Sequence, residues 1–143
     1  MQSIRAEDAH AIAELELTLF RDNCLNWKTI ESEIQHGEGF AIYNGGRLIA
    51  YLLARTSVGI TDILRLGVLS SEQGRGYGTS LIQALLQIRH PRNEIMLTVR
   101  KNNDQAIRLY RRHGFVIVGQ LHDSWVMWLH RHGAVVIPAR ATV

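Results

Sequence analysis

A glycine-rich stretch in the middle of the chain carries the pattern with the most chemical information. Gly74, Gly76 and Gly78 follow a branched apolar segment and lead directly into an amphipathic one, which predicts a loop between a strand and a helix. Because glycine has no Cβ, this loop can turn sharply and bring successive backbone N–H groups against phosphate oxygens. The helix that follows adds unpaired N–H groups and its positive dipole end, and Arg75 can add a charge-assisted hydrogen bond. The stretch therefore predicts a binding site for a pyrophosphate.

Two well-known phosphate-binding loops fit this stretch poorly. A P-loop requires Lys followed by Ser or Thr after its last glycine, whereas Thr79 and Ser80 follow Gly78 here. The dinucleotide-binding fingerprint needs Gly or Ala three positions after its second glycine, and here that position is Thr79. The fingerprint also follows the first strand of a βαβ half, whereas this loop lies in mid-chain. An ordinary flexible turn before a helix remains an alternative for the loop taken by itself.

Two segments, the one around Gln73, Gly76 and Gly78 and the one over residues 103–115, stand in the correct order to resemble the GNAT superfamily of N-acetyltransferases. The order Gln73-x-x-Gly76-x-Gly78 after a strand is similar to the acetyl-CoA signature of that family. Two motifs in order are more specific than one. By element order the resemblance runs over residues 4 to 128, and it is to small GNATs of the ribosomal-protein alanine N-acetyltransferase type, while residues 70–78 also resemble the histone acetyltransferase branch. The second segment matches the last helix and following strand of the family through Asn103, Ala106, Leu109, Tyr110, Gly114 and Phe115.

The resemblance implies a site for acetyl-CoA, with coenzyme A as the product. The loop would bind the pyrophosphate, and the preceding strand would pair through its backbone with the pantetheine arm. Gly67 permits that close approach, and the N–H of Val68 would polarise the thioester carbonyl. Asn103 has two compatible interpretations, a helix cap and a hydrogen bond to the pantetheine or phosphate region. The implied cofactor-binding residues are Leu66, Gly67, Val68, Gln73, Gly74, Arg75, Gly76, Tyr77, Gly78, Thr79 and Asn103.

Acetyl transfer from a thioester to an amine also needs an acid and a base. Tyr110 matches the tyrosine that protonates the coenzyme thiolate in the resembled family, and a core aromatic with its hydroxyl bonded elsewhere is the alternative. The base of the ribosomal-protein type is a glutamate on the fifth strand, but Thr98 stands at that place. In the histone branch the base lies on the fourth strand, which implies Asp62, acting through water. A surface Asp at a strand start is the alternative for Asp62, and the reserve candidates are Glu38, Glu94, His122 and Asp123.

These groups require a sheet with helices, and the hydrophobic pattern indicates one. Apolar spacings of three and four residues predict helices before residue 20, over 27–34, after the glycine loop and after residue 102. The Asn44-Gly45-Gly46 run predicts a hairpin turn. The predicted fold class is α/β, the GNAT fold, with a mixed, mostly antiparallel central sheet of about six to seven strands flanked by about four helices. Strands are expected from Ile4 and over 40–43, 47–53, 61–69, 94–100, 115–118 and 124–129.

Composition limits the range of functions. With 143 residues, 46% of them hydrophobic, the chain fits a single GNAT domain over 1–143 that buries a core. The chain shows no signal peptide and no apolar run that could span a membrane, and its single Cys24 forms no internal disulfide, so a cytoplasmic location is expected. A net charge of +3 from scattered basic groups does not indicate nucleic acid, and no His or Cys spacing indicates a metal. Val135-Val136-Ile137 could add a strand or pair with another subunit, which makes a homodimer one option.

The resulting hypothesis is an N-acetyltransferase that moves the acetyl group of acetyl-CoA to a primary amine by direct attack in a ternary complex. The acceptor is a protein N-terminus, a lysine or a small amine. The alternative from another class is a non-catalytic acyl-CoA-binding regulatory module, because Thr98 replaces the expected glutamate. Acceptor recognition is expected from residues 22–36 and 120–124, with Trp27, Trp125 and Trp128 as candidates for lining the acceptor groove.

Overall fold

A computed structural model gives the fold of the chain and describes residues 1–89 and 93–130. Over these residues the chain forms seven strands and four α-helices, which confirms the predicted α/β class. The strands are β1 (Gln2–Ser3), β2 (Glu38–Asn44), β3 (Arg47–Ser57), β4 (Ile60–Val68), β5 (Glu94–Arg100), β6 (Val116–Leu121) and β7 (Ser124–Leu129). The helices are α1 (Ala9–Leu19), α2 (Trp27–His36), α3 (Tyr77–Ile88) and α4 (Asp104–Arg112).

The strands are hydrogen-bonded in the order β1-β2-β3-β4-β5-β7-β6. β2 pairs antiparallel with β1 and β3, and β7 pairs antiparallel with β5 and β6. β4 and β5 form a parallel pair, in which Ile60 lies opposite Glu94 and Ile63 opposite Leu97. A parallel pair requires a crossover connection, and α3 lies in the chain between these two strands. The sheet is therefore mixed and largely antiparallel, as predicted.

The chain forms two compact units that share strand β4. The first unit contains Met1–Arg55 and Leu64–Ile88, and the second contains Thr56–Ile63 and the described residues from Arg89 onward. Strand β4 therefore begins in the second unit and ends in the first. The single domain over 1–143 stays a prediction.

In the first unit, helices enclose a strand that is apolar on both faces. β3 is buried without interruption from Leu48 to Ala54, as is typical of a strand with both faces covered. α1 packs on α2, and these two helices bury Ile12 and Ile30, while α3 buries Leu81 and Leu85. The three-and-four spacing of apolar residues that predicts these helices therefore also marks the faces they bury.

A tight turn between β2 and β3 fixes the register of this pair. Gly45 and Gly46 have φ values of +59° and +79°, the left-handed conformation that a two-residue type I′ turn requires at both central positions. Asn44 lies opposite Arg47 across the turn. The predicted hairpin at Asn44-Gly45-Gly46 is confirmed.

In the second unit, α4 follows β5 in the sequence and precedes the β6–β7 hairpin. β5 and β7 pair along their full lengths, from Ile95 opposite Leu129 to Arg100 opposite Ser124. The core of this unit contains Leu97, Phe115 and Met127, all of which are almost fully buried.

Several predicted strand boundaries differ from the observed ones by a few residues, those of β1 and β6 among them. β1 is Gln2–Ser3 and does not begin at Ile4, whose N–H nevertheless bonds the Gly39 carbonyl at 3.0 Å. β6 is Val116–Leu121 and not 115–118, because the backbone N–H of Phe115 bonds the Tyr110 carbonyl and completes the end of α4. A two-residue strand is too short to show the alternation of apolar and polar residues that marks a strand. A strand that starts directly after a helix cap has no clear first residue in that alternation.

Candidate functional site

The glycine loop begins at the end of β4 and is fastened to that strand. The side-chain amide of Gln73 donates a hydrogen bond to the Val68 carbonyl at 3.0 Å. The N–H of Leu69 bonds the Ile49 carbonyl at 2.8 Å, so the end of β4 is also held on β3. The position of the loop relative to the last residues of β4 is therefore fixed by contacts within the first unit.

The loop conformation requires glycine at two positions. Gly74 and Gly76 have φ values of +82° and +87°, which side-chain-bearing residues adopt only with strain. A Cβ at either position would meet no described atom within 4 Å, so the surface of the loop is open. The open space beside two left-handed glycines is what a bound anion needs to approach the backbone closely.

The loop leads into the N-terminus of α3, which begins at Tyr77. The N–H of Ser80 bonds the Gly76 carbonyl at 3.0 Å, and the Ser80 hydroxyl bonds the same carbonyl at 3.1 Å. By helix geometry the N–H groups of Tyr77, Gly78 and Thr79 then have no partner inside α3. Three such donors at the positive end of a helix, next to the open loop, can bind the oxygens of a pyrophosphate.

Arg75 points to a carboxylate of its own loop. Its Nε lies 3.3 Å from Oε2 of Glu72, while 65% of the Arg75 side chain is exposed. The Glu72 side chain is only 16% exposed, so turning Arg75 towards a phosphate would leave a largely buried carboxylate without this cation. The role of Arg75 in binding a phosphate stays a prediction.

Packing requires glycine at position 67, a reason that the sequence did not reveal. A Cβ on Gly67 would lie 2.6 Å from the ring of Tyr51 and 3.0 Å from Cδ1 of Leu19. Both are contacts within the first unit, and they exclude any side chain whether or not a coenzyme is bound. The interpretation that Gly67 permits the approach of pantetheine therefore stays a prediction, beside a packing requirement that suffices to explain the glycine.

A buried polar cluster lies beside this part of β4. Glu16 of α1 is 0% exposed, and its carboxylate accepts hydrogen bonds from the Tyr51 hydroxyl and from Nε of Arg65, the latter at 2.8 Å. Burial and the Glu16 carboxylate raise the pKa of Tyr51 far above its usual value, so its hydroxyl stays protonated and donates. The sequence signal was available, because Glu16 falls within the apolar stripe formed by Ile12, Leu15 and Leu19.

Tyr110, the candidate acid, lies in the second unit on α4. It is only 6% exposed, and its ring packs edge-on against Phe115 with 5.6 Å between ring centroids. Burial raises the pKa of Tyr110, so the phenol holds its proton at neutral pH, and the same shift makes it a weaker acid. Its burial and ring packing fit both a core aromatic and an acid, so the role of Tyr110 stays a prediction.

Asn103 is the N-cap of α4. Its side-chain oxygen accepts a hydrogen bond from the N–H of Ala106 at 3.2 Å. The cap interpretation is therefore confirmed, and the hydrogen bond to a coenzyme stays a prediction.

The candidate base, Asp62, lies on β4 in the second unit, opposite Met96 of β5. It is half-buried, and this burial raises the pKa of Asp62 above its usual value. Thr98 on β5 is exposed and lies opposite Val126 of β7. Asp62 is thus a better proton acceptor than an ordinary aspartate, while Thr98 supplies no basic group.

The reserve candidate Glu94 is engaged in other contacts. It accepts a hydrogen bond from the Trp128 indole N–H at 3.0 Å and lies 3.2 Å from Nδ1 of His130. His122 has a φ of +54° in the turn between β6 and β7. Over residues 1–89 and 93–130, no group of three or more His, Cys, Asp or Glu side chains is placed to hold a metal ion. None of the described helices combines the length and apolar composition needed to cross a membrane.

The chain belongs to the acetyltransferase (GNAT) family, whose model matches residues 6–115. It is therefore an acetyl-CoA-dependent N-acetyltransferase, and the resemblance noted in its sequence is confirmed. The chain is 34% identical over 119 residues to the N-alpha-acetyltransferase RimI of Mycobacterium tuberculosis, covering 78% of this chain and 75% of that protein.

Solved structures share the fold at lower identity. The ribosomal-protein-S18-alanine N-acetyltransferase from Escherichia coli is 20% identical, with a TM-score of 0.79 and 94% of each chain covered. NAA60 from Arabidopsis thaliana, solved in complex with a bisubstrate analogue, is 20% identical with a TM-score of 0.76, and the match covers 93% of this chain and 98% of that one. These two likenesses confirm the GNAT fold.

Proposed function

We propose that the chain transfers the acetyl group of acetyl-CoA to the α-amino group at the N-terminus of a peptide or protein. The demand on the base supports this choice of acceptor, because Thr98 supplies no basic group on β5 and an amine of lower pKa needs less help to lose its proton. An α-amino group has a pKa near 8 and is about one-tenth neutral at pH 7, whereas a lysine with a pKa near 10.4 is neutral in fewer than about one molecule in a thousand. A weak base therefore suits an N-terminal acceptor. The similarity to a protein named as an N-alpha-acetyltransferase supports the same choice.

The loop and the start of α3 fit the diphosphate of the coenzyme. The two left-handed glycines, the open space beside them and the N–H groups at the start of α3 together support a cradle for phosphate oxygens. We assign the pyrophosphate to Gln73, Gly74, Arg75, Gly76, Tyr77, Gly78 and Thr79, and the pantetheine arm to the β4 backbone at Leu66, Gly67 and Val68 with Asn103.

The reaction then needs three contributions from the chain. When bound, acetyl-CoA supplies the acetyl thioester, which the amine attacks directly in a ternary complex. The N–H of Val68 donates a hydrogen bond to the carbonyl oxygen and stabilises its growing negative charge. The Tyr110 hydroxyl gives its proton to the departing sulfur, and Asp62 takes up the proton of the amine through water. The buried, protonated phenol and the raised pKa of Asp62 suit these two roles.

The test is thiol release from acetyl-CoA with three kinds of acceptor at matched concentration. These are peptides with a free N-terminus and no lysine, peptides with a blocked N-terminus and one lysine, and polyamines. The proposal predicts that the first group is acetylated with the highest kcat/KM. A higher kcat/KM for the lysine peptides or the polyamines would contradict the proposed acceptor, and no thiol release with any amine would favour the regulatory module.

A further inference from the structure

The segment between α1 and α2, residues 20–26, has almost no hydrophobic anchorage. Phe20 and Leu25 are only half-buried, and the other five residues of the segment are exposed. A loop without a buried apolar side chain depends on hydrogen bonds for its conformation. The question is therefore which groups hold this segment.

Two of its backbone groups are held by a single buried ion pair. Oε1 of Glu16 accepts a hydrogen bond from the N–H of Leu25 at 2.9 Å. Arg65 bonds Oε2 of Glu16 through Nε, and its Nη2 donates to the Asn23 carbonyl at 2.6 Å. The guanidinium also lies over the Phe20 ring at 4.5 Å from its centroid. The pair therefore contacts the segment at its beginning, middle and end.

The same pair connects the segment to the end of β4. Arg65 and Gly67 are two residues apart on one strand, so they face the same side of the sheet. On that side the space above Gly67 is occupied by Tyr51 and Leu19, and Tyr51 bonds the Glu16 carboxylate. The segment is thereby fixed with respect to residues 65–67, directly before the proposed polarising N–H of Val68.

Stability alone explains this ion pair poorly. A buried pair loses the hydration of both charges, and well-packed apolar side chains in its place are often equally stabilising. What an apolar replacement cannot supply is directional bonding to a carbonyl and an N–H of a polar loop. The contacts of Glu16 and Arg65 thus serve the placement of residues 20–26.

We propose that Glu16 and Arg65 are positioning residues that set the acceptor side of the site, by holding residues 20–26 against the end of β4 where the amine approaches the thioester. This inference rests on the proposed function for the location of the thioester. It predicts that weakening the pair raises the KM for the acceptor peptide and leaves coenzyme binding unchanged.

The test compares Arg65→Lys with Arg55→Lys. Lysine retains the positive charge beside Glu16 but lacks the planar guanidinium, which donates to the Glu16 carboxylate and to the Asn23 carbonyl at the same time. Arg55 pairs with Glu33 at 3.1 Å in the same unit, outside residues 20–26, and is the matched control. We expect Arg65→Lys to raise the acceptor KM about tenfold, the size of one charged hydrogen bond, with the Kd for coenzyme A within about twofold of the wild type. Arg55→Lys should change neither value.

Amide hydrogen exchange supplies the second measurement. The Leu25 N–H should be protected in the wild type, exchange faster in Arg65→Lys and in Glu16→Gln, and keep its wild-type rate in Arg55→Lys. Should Glu16→Gln fail to fold, Arg65→Lys alone decides. An unchanged acceptor KM in Arg65→Lys, or a loss of coenzyme affinity equal to the rise in acceptor KM, would overturn the inference. The acceptor panel separates the two proposals. A wild-type enzyme that prefers lysine peptides refutes the N-terminal acceptor, and the comparison of Arg65→Lys with Arg55→Lys is then made with a lysine peptide as the acceptor.

Discussion

At the scale of single residues, the buried phenol of Tyr110 is the group most open to a decisive test. Replacing Tyr110 by Phe removes the proton but keeps the ring that packs on Phe115. We expect kcat to fall at least about 100-fold, the lower range for loss of a general acid, while the Kd for coenzyme A stays unchanged. Single-turnover kinetics together with calorimetric titration of coenzyme A measure the two quantities. A kcat within threefold of the wild type would remove Tyr110 from the mechanism.

Asp62 leads to a prediction on both activity and stability. Because the pKa of folded Asp62 is raised, the folded state binds more protons than the unfolded state between the two pKa values. Stability therefore falls as the pH rises through that window and stays lower at neutral pH. Asp62→Asn should raise the melting temperature at pH 7 and lower kcat/KM, since the amide takes up no proton.

Thermal unfolding of both proteins across pH checks the stability part. The gain in melting temperature should shrink as the pH falls through the raised pKa of folded Asp62 and vanish well below the ordinary aspartate pKa of about 3.9, where Asp62 is protonated in both states. A variant that is less stable than the wild type at pH 7, with full activity, would show that Asp62 is a structural residue and not a base.

The residue scale also shows where sequence reasoning stops. The glycines of the loop could be selected from type and spacing, whereas Tyr110 could be selected only through the resemblance of residues 103–115 to a known family. The Glu16–Arg65 pair joins residues 49 positions apart, and the contact of Gly67 with Tyr51 depends on the register of two strands. No local pattern encodes such contacts, although a charged residue within an apolar helix stripe, like Glu16, is a usable signal.

At the scale of secondary-structure elements, the loop between β4 and α3 allows a matched comparison of two glycines. Gly76 and Gly59 have similar φ values of +87° and +78°, and a Cβ at either would meet no described atom within 4 Å. Alanine should therefore cost each position about the same, roughly 1–2 kcal/mol of folding free energy. Only Gly76→Ala should also lose affinity for coenzyme A, by tenfold or more, because its Cβ enters the proposed phosphate cradle.

Chemical denaturation and calorimetric titration measure these two effects separately. Equal losses of stability with equal coenzyme affinities would show that the loop does not bind the diphosphate. Equal affinity losses in both variants would point instead to a general effect of backbone strain.

The elements themselves were predictable to different degrees. β5 and β7 have the predicted bounds, because alternating apolar residues end at charged or turn-forming neighbours. α2 begins at Trp27 as predicted and ends at His36, directly before Gly37, which was expected to break it. β3 runs four residues past its predicted end at 53, since Arg55, Thr56 and Ser57 are polar residues that continue a strand without an apolar pattern.

At the scale of the whole molecule, binding of the coenzyme should stabilise the folded chain. A ligand present at 100 times its Kd adds about 2.7 kcal/mol to the free energy of unfolding, which corresponds to a rise of about 5–10 °C in Tm for a chain of this size. Acetyl-CoA should give this rise. An acetyl thioester of N-acetylcysteamine, which lacks the diphosphate, should give none at the same concentration. Equal shifts with both compounds would contradict a site built around the pyrophosphate.

Other properties of the whole chain stay predictions. The Val135-Val136-Ile137 run proposed for an added strand or a homodimer lies outside the described residues. The cytoplasmic location and the lack of nucleic-acid binding and of a metal are expectations from composition. They await measurements of localisation, mass in solution and binding.

The hydrogen bond from Gln73 to the Val68 carbonyl has a consequence for the choice of acyl donor. It ties the loop proposed for the diphosphate to the strand end that would polarise the thioester, so it would help to set the span between diphosphate and carbonyl. A donor whose pantetheine is one methylene longer or shorter would present its carbonyl out of line with the Val68 N–H. On this proposal, selectivity for the natural arm length is expected to depend in part on the Gln73 side chain.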